Sequence, residues 1–241
     1  MNWKTNVRIC YGLLTAVLLT RGAAAQTRSL ESIATLKFYA AAQGNSFAVG
    51  TSPNSVVFDG SSIWVANGPS RSIIKFRASD GAKIGTFATP DFATAMAFDG
   101  ANIWVANPHQ HSVAKLRASD GANLGSFQVG LNPGGGIAFD GANIWVSNAF
   151  DNTVTKLRAR DGTPEGTFPT GVGPAGVAFD GANIWVVNNT DDTVTKLRAR
   201  DGALLGTFPT GHGPRKVALA PASRSPIRLA IALQKCGPAM A

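Results

Sequence analysis

Residues 173–211 read GPAGVAFDGANIWVVNNTDDTVTKLRARDGALLGTFPTG, and most of the chain consists of variants of this stretch. FDG recurs at Phe58, Phe98, Phe139 and Phe179, and IWV follows with Trp64, Trp104, Trp145 and Trp185. A closing Phe falls at Phe47, Phe87, Phe127, Phe168 and Phe208. The columns advance by 40 or 41 residues. A fixed period of this size marks a repeat architecture, in which each unit buries its apolar faces against its neighbours.

Each unit divides into four short segments, such as GVAF, IWVVN, TVTKLRA and LLGTF, separated by DGAN, NTDD and RDGA. Asp-Gly between apolar runs signals a hairpin, because Gly takes positive φ without steric cost. Eight such pairs occur and use eight of the twelve Asp residues. Four antiparallel strands in about 40 residues match one propeller blade. The fold class expected is therefore an all-β β-propeller. In the second strand, Trp185 and Val187 take one face and Ile184 and Val186 the other. Both faces are apolar, as a sheet packed between two others requires. A buried Trp removes ~150–250 Å² from water, an upper estimate of ~4–6 kcal/mol per blade. Trp64, Trp104, Trp145 and Trp185 thus read as structural residues.

The pattern GPxGVAFDGxNIWVxN, followed by TVTKL and GTF(P)TG, resembles the YVTN/NHL-type repeat propellers, whose distant relatives include streptogramin (virginiamycin B) lyase. The resemblance covers about residues 35–219. It implies the fold; for activity it implies little, because such proteins include lyases and non-catalytic binding proteins.

Along the chain, residues 1–25 read as a secretory signal. Lys4 and Arg8 precede an apolar core, Ile9 to Thr20, and Ala23-Ala24-Ala25 forms a small-residue cleavage site. The apolar run is too short for a membrane span, so no transmembrane segment is expected after cleavage and the product is secreted or periplasmic. Cleavage leaves Cys236 alone, without an intrachain disulfide partner. Residues 26–34 form a linker. Residues 35–50 match the second half of a blade, and whole blades follow at 51–90, 91–130, 131–171 and 172–211. Residues 212–220 supply the first strand of a last blade, and 221–241 are irregular. Ile227, Leu229, Ile231 and Leu233 alternate with Arg228, Ala230, Ala232 and Gln234, a strand pattern that also fits a helix. Two endings stay open: a composite fifth blade that closes the ring, or an incomplete arc from a truncated or frameshifted gene product.

The formal charge of +8 is concentrated outside the repeats. From Gln26 to Gly211 there are fourteen Lys plus Arg against fourteen Asp plus Glu. The pairs Lys75/Arg77, Lys115/Arg117, Lys156/Arg158 and Lys196/Arg198 are expected to lay their stems over the outer blade and snorkel to water. Nucleic acid is not an expected partner, since that would need a concentrated basic patch with aromatic platforms.

Residues that break the repeat gather in the loops between second and third strands and between blades. They are Asp91, His109, Gln110, His111, Phe150, Asp151, Asn152, Asp191, Asp192 and His212. Asn67, Asn107, Asn148 and Asn188 are expected to ring the same face. Asp91, His109, His111, Asp151, Asp191, Asp192 and His212 are the candidate binding residues. His109 and His111 could both ligate a divalent metal with carboxylates completing the shell, although Asn and Asp also cap turns. The resemblance to the lyases implies a His base with a nearby Glu, but Glu31 falls in the linker and Glu165 in an expected turn on the opposite face. The function expected is a non-catalytic binding propeller that needs no cofactor and presents its loop face to a protein, peptide or glycan. The alternative is a metal-dependent lyase or hydrolase.

Overall fold

The computed structural model describes residues 47–219 and the pair Leu229–Ala230. The expected signal, linker, first part of the half blade and most of the irregular C-terminal segment lie outside the described residues. Four antiparallel sheets of four strands follow one another. Blade 1 holds β1 (Pro53–Phe58), β2 (Ser62–Asn67), β3 (Ser72–Arg77) and β4 (Lys83–Ala88). Blade 2 holds β5 (Met96–Phe98), β6 (Asn102–Asn107), β7 (Ser112–Arg117) and β8 (Asn123–Gln128). Blade 3 holds β9 (Pro133–Phe139), β10 (Asn143–Asn148), β11 (Thr153–Arg158) and β12 (Pro164–Pro169). Blade 4 holds β13 (Pro174–Phe179), β14 (Asn183–Asn188), β15 (Thr193–Arg198) and β16 (Leu204–Pro209). This is a β-propeller architecture with four complete blades.

The first strands lie beside one another around the axis, where backbones approach too closely for side chains. A Cβ on Gly135 would fall 2.4 Å from Ala175 Cα, and one on Gly136 would fall 2.5 Å from Val177 N. In the first turn of each blade the Asp is also an acceptor. Asp59 Oδ1 takes the Ser61 and Ser62 N–H groups, and Asp59 Oδ2 takes Trp64 Nε1–H at 2.7 Å. Asp99, Asp140 and Asp180 accept from Trp104, Trp145 and Trp185 at 2.7–2.8 Å. The indole, the one polar handle of a buried Trp, is thus satisfied by its own turn.

Blades join through three devices. Trp64 packs with Ile103, Val105 and Leu116 of blade 2, and Trp104 with Ile144, Val146 and Leu157 of blade 3. Trp145 packs with Ile184, Val186 and Leu197 of blade 4, and these three tryptophans are 0% exposed. The closing Phe stacks on the Trp of its own blade, with centroids 5.3–5.4 Å apart for Phe87, Phe127 and Phe168. It also fills the space over a glycine of the next blade. A Cβ on Gly121, whose φ is +75°, would lie 2.1 Å from the Phe87 ring. Gly is therefore required there twice, for its backbone and for its missing side chain.

Lysine supplies the third device, which corrects the expectation of snorkelling. Lys75, Lys115 and Lys156 are buried, not laid toward water. Lys75 Nζ donates to Ala118 O at 2.7 Å, Lys115 Nζ to Ala159 O at 2.7 Å and Arg160 O at 2.9 Å, and Lys156 Nζ to Arg200 O at 3.1 Å. Each ammonium also lies 4.8–5.4 Å from the Trp ring of its own blade. Lys196 is half-buried, and the arginines of the pairs behave as surface groups: Arg77, Arg117, Arg158 and Arg198 reach Asp80, Asp120, Asp161 and Asp201. Glu165 lies on β12 instead of in a turn, and pairs with Lys156 and Arg158.

Beyond blade 4, β17 (Ala218–Leu219) pairs with β18 (Leu229–Ala230). The partners Ala218↔Ala230 and Leu219↔Leu229 take the register of Ala178↔Trp185 and Phe179↔Ile184 in blade 4. A fifth inner hairpin therefore begins, with Ala230 where each complete blade has Trp.

Candidate functional site

The loops between second and third strands share one geometry. Their fourth residue after the strand-ending Asn is left-handed in every blade: Arg71, His111, Asn152 and Asp192, with φ of 46–56°. Asn, Asp and His are the non-glycine types that tolerate this region best, which accounts for three of the four. In three of the four blades the same residue reaches the next one. His111 Nδ1 accepts from Asn132 N at 3.2 Å, Asn152 Oδ1 from Gly173 N at 3.0 Å, and Asp192 Oδ1 from Gly213 N at 2.6 Å. These side chains latch successive blades at the loop face.

The other candidates make similar bonds. Asp151 Oδ2 accepts from Leu131 N at 2.6 Å, and Asp191 Oδ2 accepts from Val172 N. Gln110 Nε2 donates to Pro90 O at 3.1 Å. Asp91 is buried, and it accepts from His109 N at 2.7 Å and faces His109 Nδ1 at 2.9 Å. The His109 ring stands on a 3₁₀ turn, Pro108–Gln110, edge-on to Phe92. Burial alone would raise the Asp91 carboxyl, but the His109 ring and the Phe92 and His109 N–H groups outweigh it and leave the pKa lowered. His212 faces Asp192, which the Gly213 N–H and that ring hold below the usual carboxylate range.

The candidates are thus brought together only in neighbouring pairs, Asp91 with His109 and Asp192 with His212. His109 and His111 have separate partners. Among the described residues no three His, Cys, Asp or Glu side chains gather in an arrangement that could hold a metal ion. The strand-ending asparagines do not ring the surface as expected: Asn67, Asn107, Asn148 and Asn188 are fully buried. Asn148 Nδ2 donates to Thr153 and Thr155 hydroxyls, and Asn188 Nδ2 to Thr193 and Thr195.

The structure adds residues that the repeat-breaking criterion missed. They are Leu131 and Val172, in the entries to blades 3 and 4, which are 46% and 43% exposed; beside them Phe150, already marked as a repeat-breaking residue, is 74% exposed. Phe150 N donates to Leu131 O, and the neighbouring Asn152 holds Gly173 beside Val172. The three apolar side chains therefore share one sector of the loop face with Asp151, Asp191 and Asp192. The segments forming it, 129–132, 149–152, 170–173 and 189–192, contain no Lys or Arg. The signal was available: an apolar residue at a loop position occupied elsewhere by Asp91 and His212.

No protein-family model and no curated protein sequence matches the chain. Solved structures do. Hydrazine synthase of Kuenenia stuttgartiensis superposes with a TM-score of 0.63 at 20% identity, over 74% of this chain and 55% of that one. A functionally unknown protein from Desulfotomaculum acetoxidans gives 0.64 at 14% identity, over 72% and 61%. The WD40 repeats of RRP9 give 0.60 at 18% identity, over 68% and 52%. The chain spans only 52–61% of the length of these three structures. At such identities the likeness concerns the fold alone, and that fold is the β-propeller.

Proposed function

We propose that this chain is an exported, non-catalytic propeller of the YVTN/NHL type that binds a protein or peptide partner on its loop face. The observation that carries the reading is the exposed group Phe150, Leu131 and Val172 on the face where the polar candidates are occupied in latching loops and blades. Exposed apolar residues grouped on a rigid scaffold mark interaction surfaces. Their acidic surroundings favour a segment bearing apolar and basic side chains over a glycan or a nucleic acid. The outer arginines are already paired with aspartates and three of the four strand lysines are buried, which further disfavours nucleic acid. Secretion or a periplasmic location rests on the N-terminal leader pattern alone.

Arrayed peptides and glycans probed with the purified chain test this. The triple variant Leu131→Ser/Phe150→Ser/Val172→Ser is expected to lose at least tenfold in affinity for the peptides bound, with unfolding unchanged. Equal binding by the two proteins, or binding to glycans only, would overturn the proposal.

The Asp91–His109 dyad supports a second reading, a metal-dependent lyase or hydrolase that uses His109, His111 or His212. A stoichiometric divalent metal in the purified chain, together with a hydrolytic or lyase activity, both lost in His109→Ala/His111→Ala, would establish that reading in place of the first.

A further inference from the structure

Blades 1 and 2 both depart from the pattern that seats the buried asparagine amides of blades 3 and 4. The Asn67 side chain, with Ile74 at the place of Thr155, has no hydrogen-bond partner among the described residues, and in blade 2 the place is left to alanine. In blade 3, Asn148 Nδ2 donates to Thr155 Oγ1 at 2.8 Å and to Thr153 Oγ1 at 3.0 Å, while its Oδ1 accepts from Gly130 N at 3.1 Å. In blade 2 the matching residues are Ala114, Ser112 and Pro90. Alanine removes the hydroxyl acceptor, and proline removes the N–H donor. Asn107 is nonetheless retained and 0% exposed, and neither its Nδ2 nor its Oδ1 has a hydrogen-bond partner among the described residues. Ser112 Oγ, on the residue paired with Asn107 across the strands, is also buried without a partner.

A buried amide left without partners costs about 1–3 kcal/mol, and here three polar atoms are concerned. Ala114 also has two fewer side-chain heavy atoms than Thr155, so the hydroxyl of blade 3 has no side-chain counterpart in blade 2. A buried water needs two to four polar partners and space of about its own size. We propose that blade 2 contains a structural water-binding site at the loop-face end of β6 and β7. The water accepts from Asn107 Nδ2 and donates to Asn107 Oδ1 or Ser112 Oγ, replacing the Thr155 hydroxyl of blade 3. The asparagine amide is thus seated on threonine hydroxyls in blades 3 and 4 and on a solvent molecule in blade 2.

Two nearly isosteric substitutions test this in the full chain. Ala114→Thr supplies the hydroxyl and displaces the water, and is expected to raise the unfolding midpoint by about 2–4 °C. Ala114→Val displaces the water and supplies no acceptor, and is expected to lower it by a similar amount. A rise in both variants would mean an empty apolar cavity, and a fall in both a site already collapsed; either result overturns the proposal. A crystal structure of the wild-type chain should show density within hydrogen-bond distance of Asn107 and Ser112, and its absence in a well-ordered blade 2 would overturn the proposal equally.

Discussion

The joint between blades 2 and 3 and the far face of blade 4 are built from the same residue types in different circumstances. At the joint, Trp104 is 0% exposed, Phe127 rests over Gly162, and Lys115 donates to two carbonyls of blade 3. On the far face Trp185 is half-buried, Phe208 is 44% exposed, and Leu204 and Leu205 are 59% and 41% exposed. Lys196 still lies 4.8 Å from the Trp185 ring, yet no carbonyl of a following blade accepts from it among the described residues. Within a blade, the Trp, Phe, Lys and first-turn Asp assemble into the same cluster in both places. What the neighbour adds is dehydration and the cross-blade hydrogen bonds. The cluster is thus a property of the single repeat, and its energetic value a property of the pair.

Three measurements would break or sharpen that contrast. The largest effect is expected for tryptophan. Trp104→Ala should cost about 3–5 kcal/mol in urea unfolding, as large core truncations do, and Trp185→Ala less than half as much. Equal losses would show that the far face of blade 4 is as dry as a joint. Next is lysine. Lys115→Met leaves Ala159 O and Arg160 O without their charged donor and should cost about 2–3 kcal/mol, whereas Lys196→Met should remain within about 0.5 kcal/mol of the parent.

The smallest effect concerns acid. Burial raises the carboxyls of Asp59, Asp99 and Asp180, but the tryptophan indoles and turn N–H groups prevail and leave all three lowered. A carboxylate depressed on folding contributes stability that is present above its unfolded pKa of about 3.9 and lost as pH falls through the folded value. The chain should therefore lose stability below about pH 4. Asp99→Asn, which replaces one of the two acceptor oxygens by an NH2 group and so leaves either Trp104 Nε1–H or the Ala101 and Asn102 N–H groups facing a donor, should make that acid branch shallower and cost about 1–3 kcal/mol at neutral pH. Asp180→Asn should cost less, because the Trp185 indole is partly in water. Identical pH profiles for parent and Asp99→Asn would remove the turn carboxylates from the account.

The fold was legible because its determinants are local and repeated. Asp-Gly turns, alternating apolar faces and the Trp and Phe columns recur with one period, and each blade repeats the register of the last. The lysines were misread for a physical reason. From one strand, Lys115 and Arg117 look equivalent on the same face; only the neighbouring blade supplies the carbonyls that make one of them a buried donor. The candidate site was legible in position and less so in role. Repeat-breaking residues do mark the loop face, but His111, Asn152 and Asp192 share a left-handed conformation and a latching bond that their dissimilar names conceal. Asn148 was expected at the surface because polarity was weighed without the Thr153 and Thr155 hydroxyls across the strand. Leu131 and Val172 were missed because an apolar residue in an apolar-rich repeat attracts no notice until its exposure is known.

The Phe ring seated over a glycine of the following unit gives every repeat a plug on one side and a socket on the other. Such parts are interchangeable, since any copy fits behind any other without redesign of the contact. Duplication of a whole period, in register, extends the array by a ready-made connection, while a cut at any other place leaves one plug and one socket unmatched.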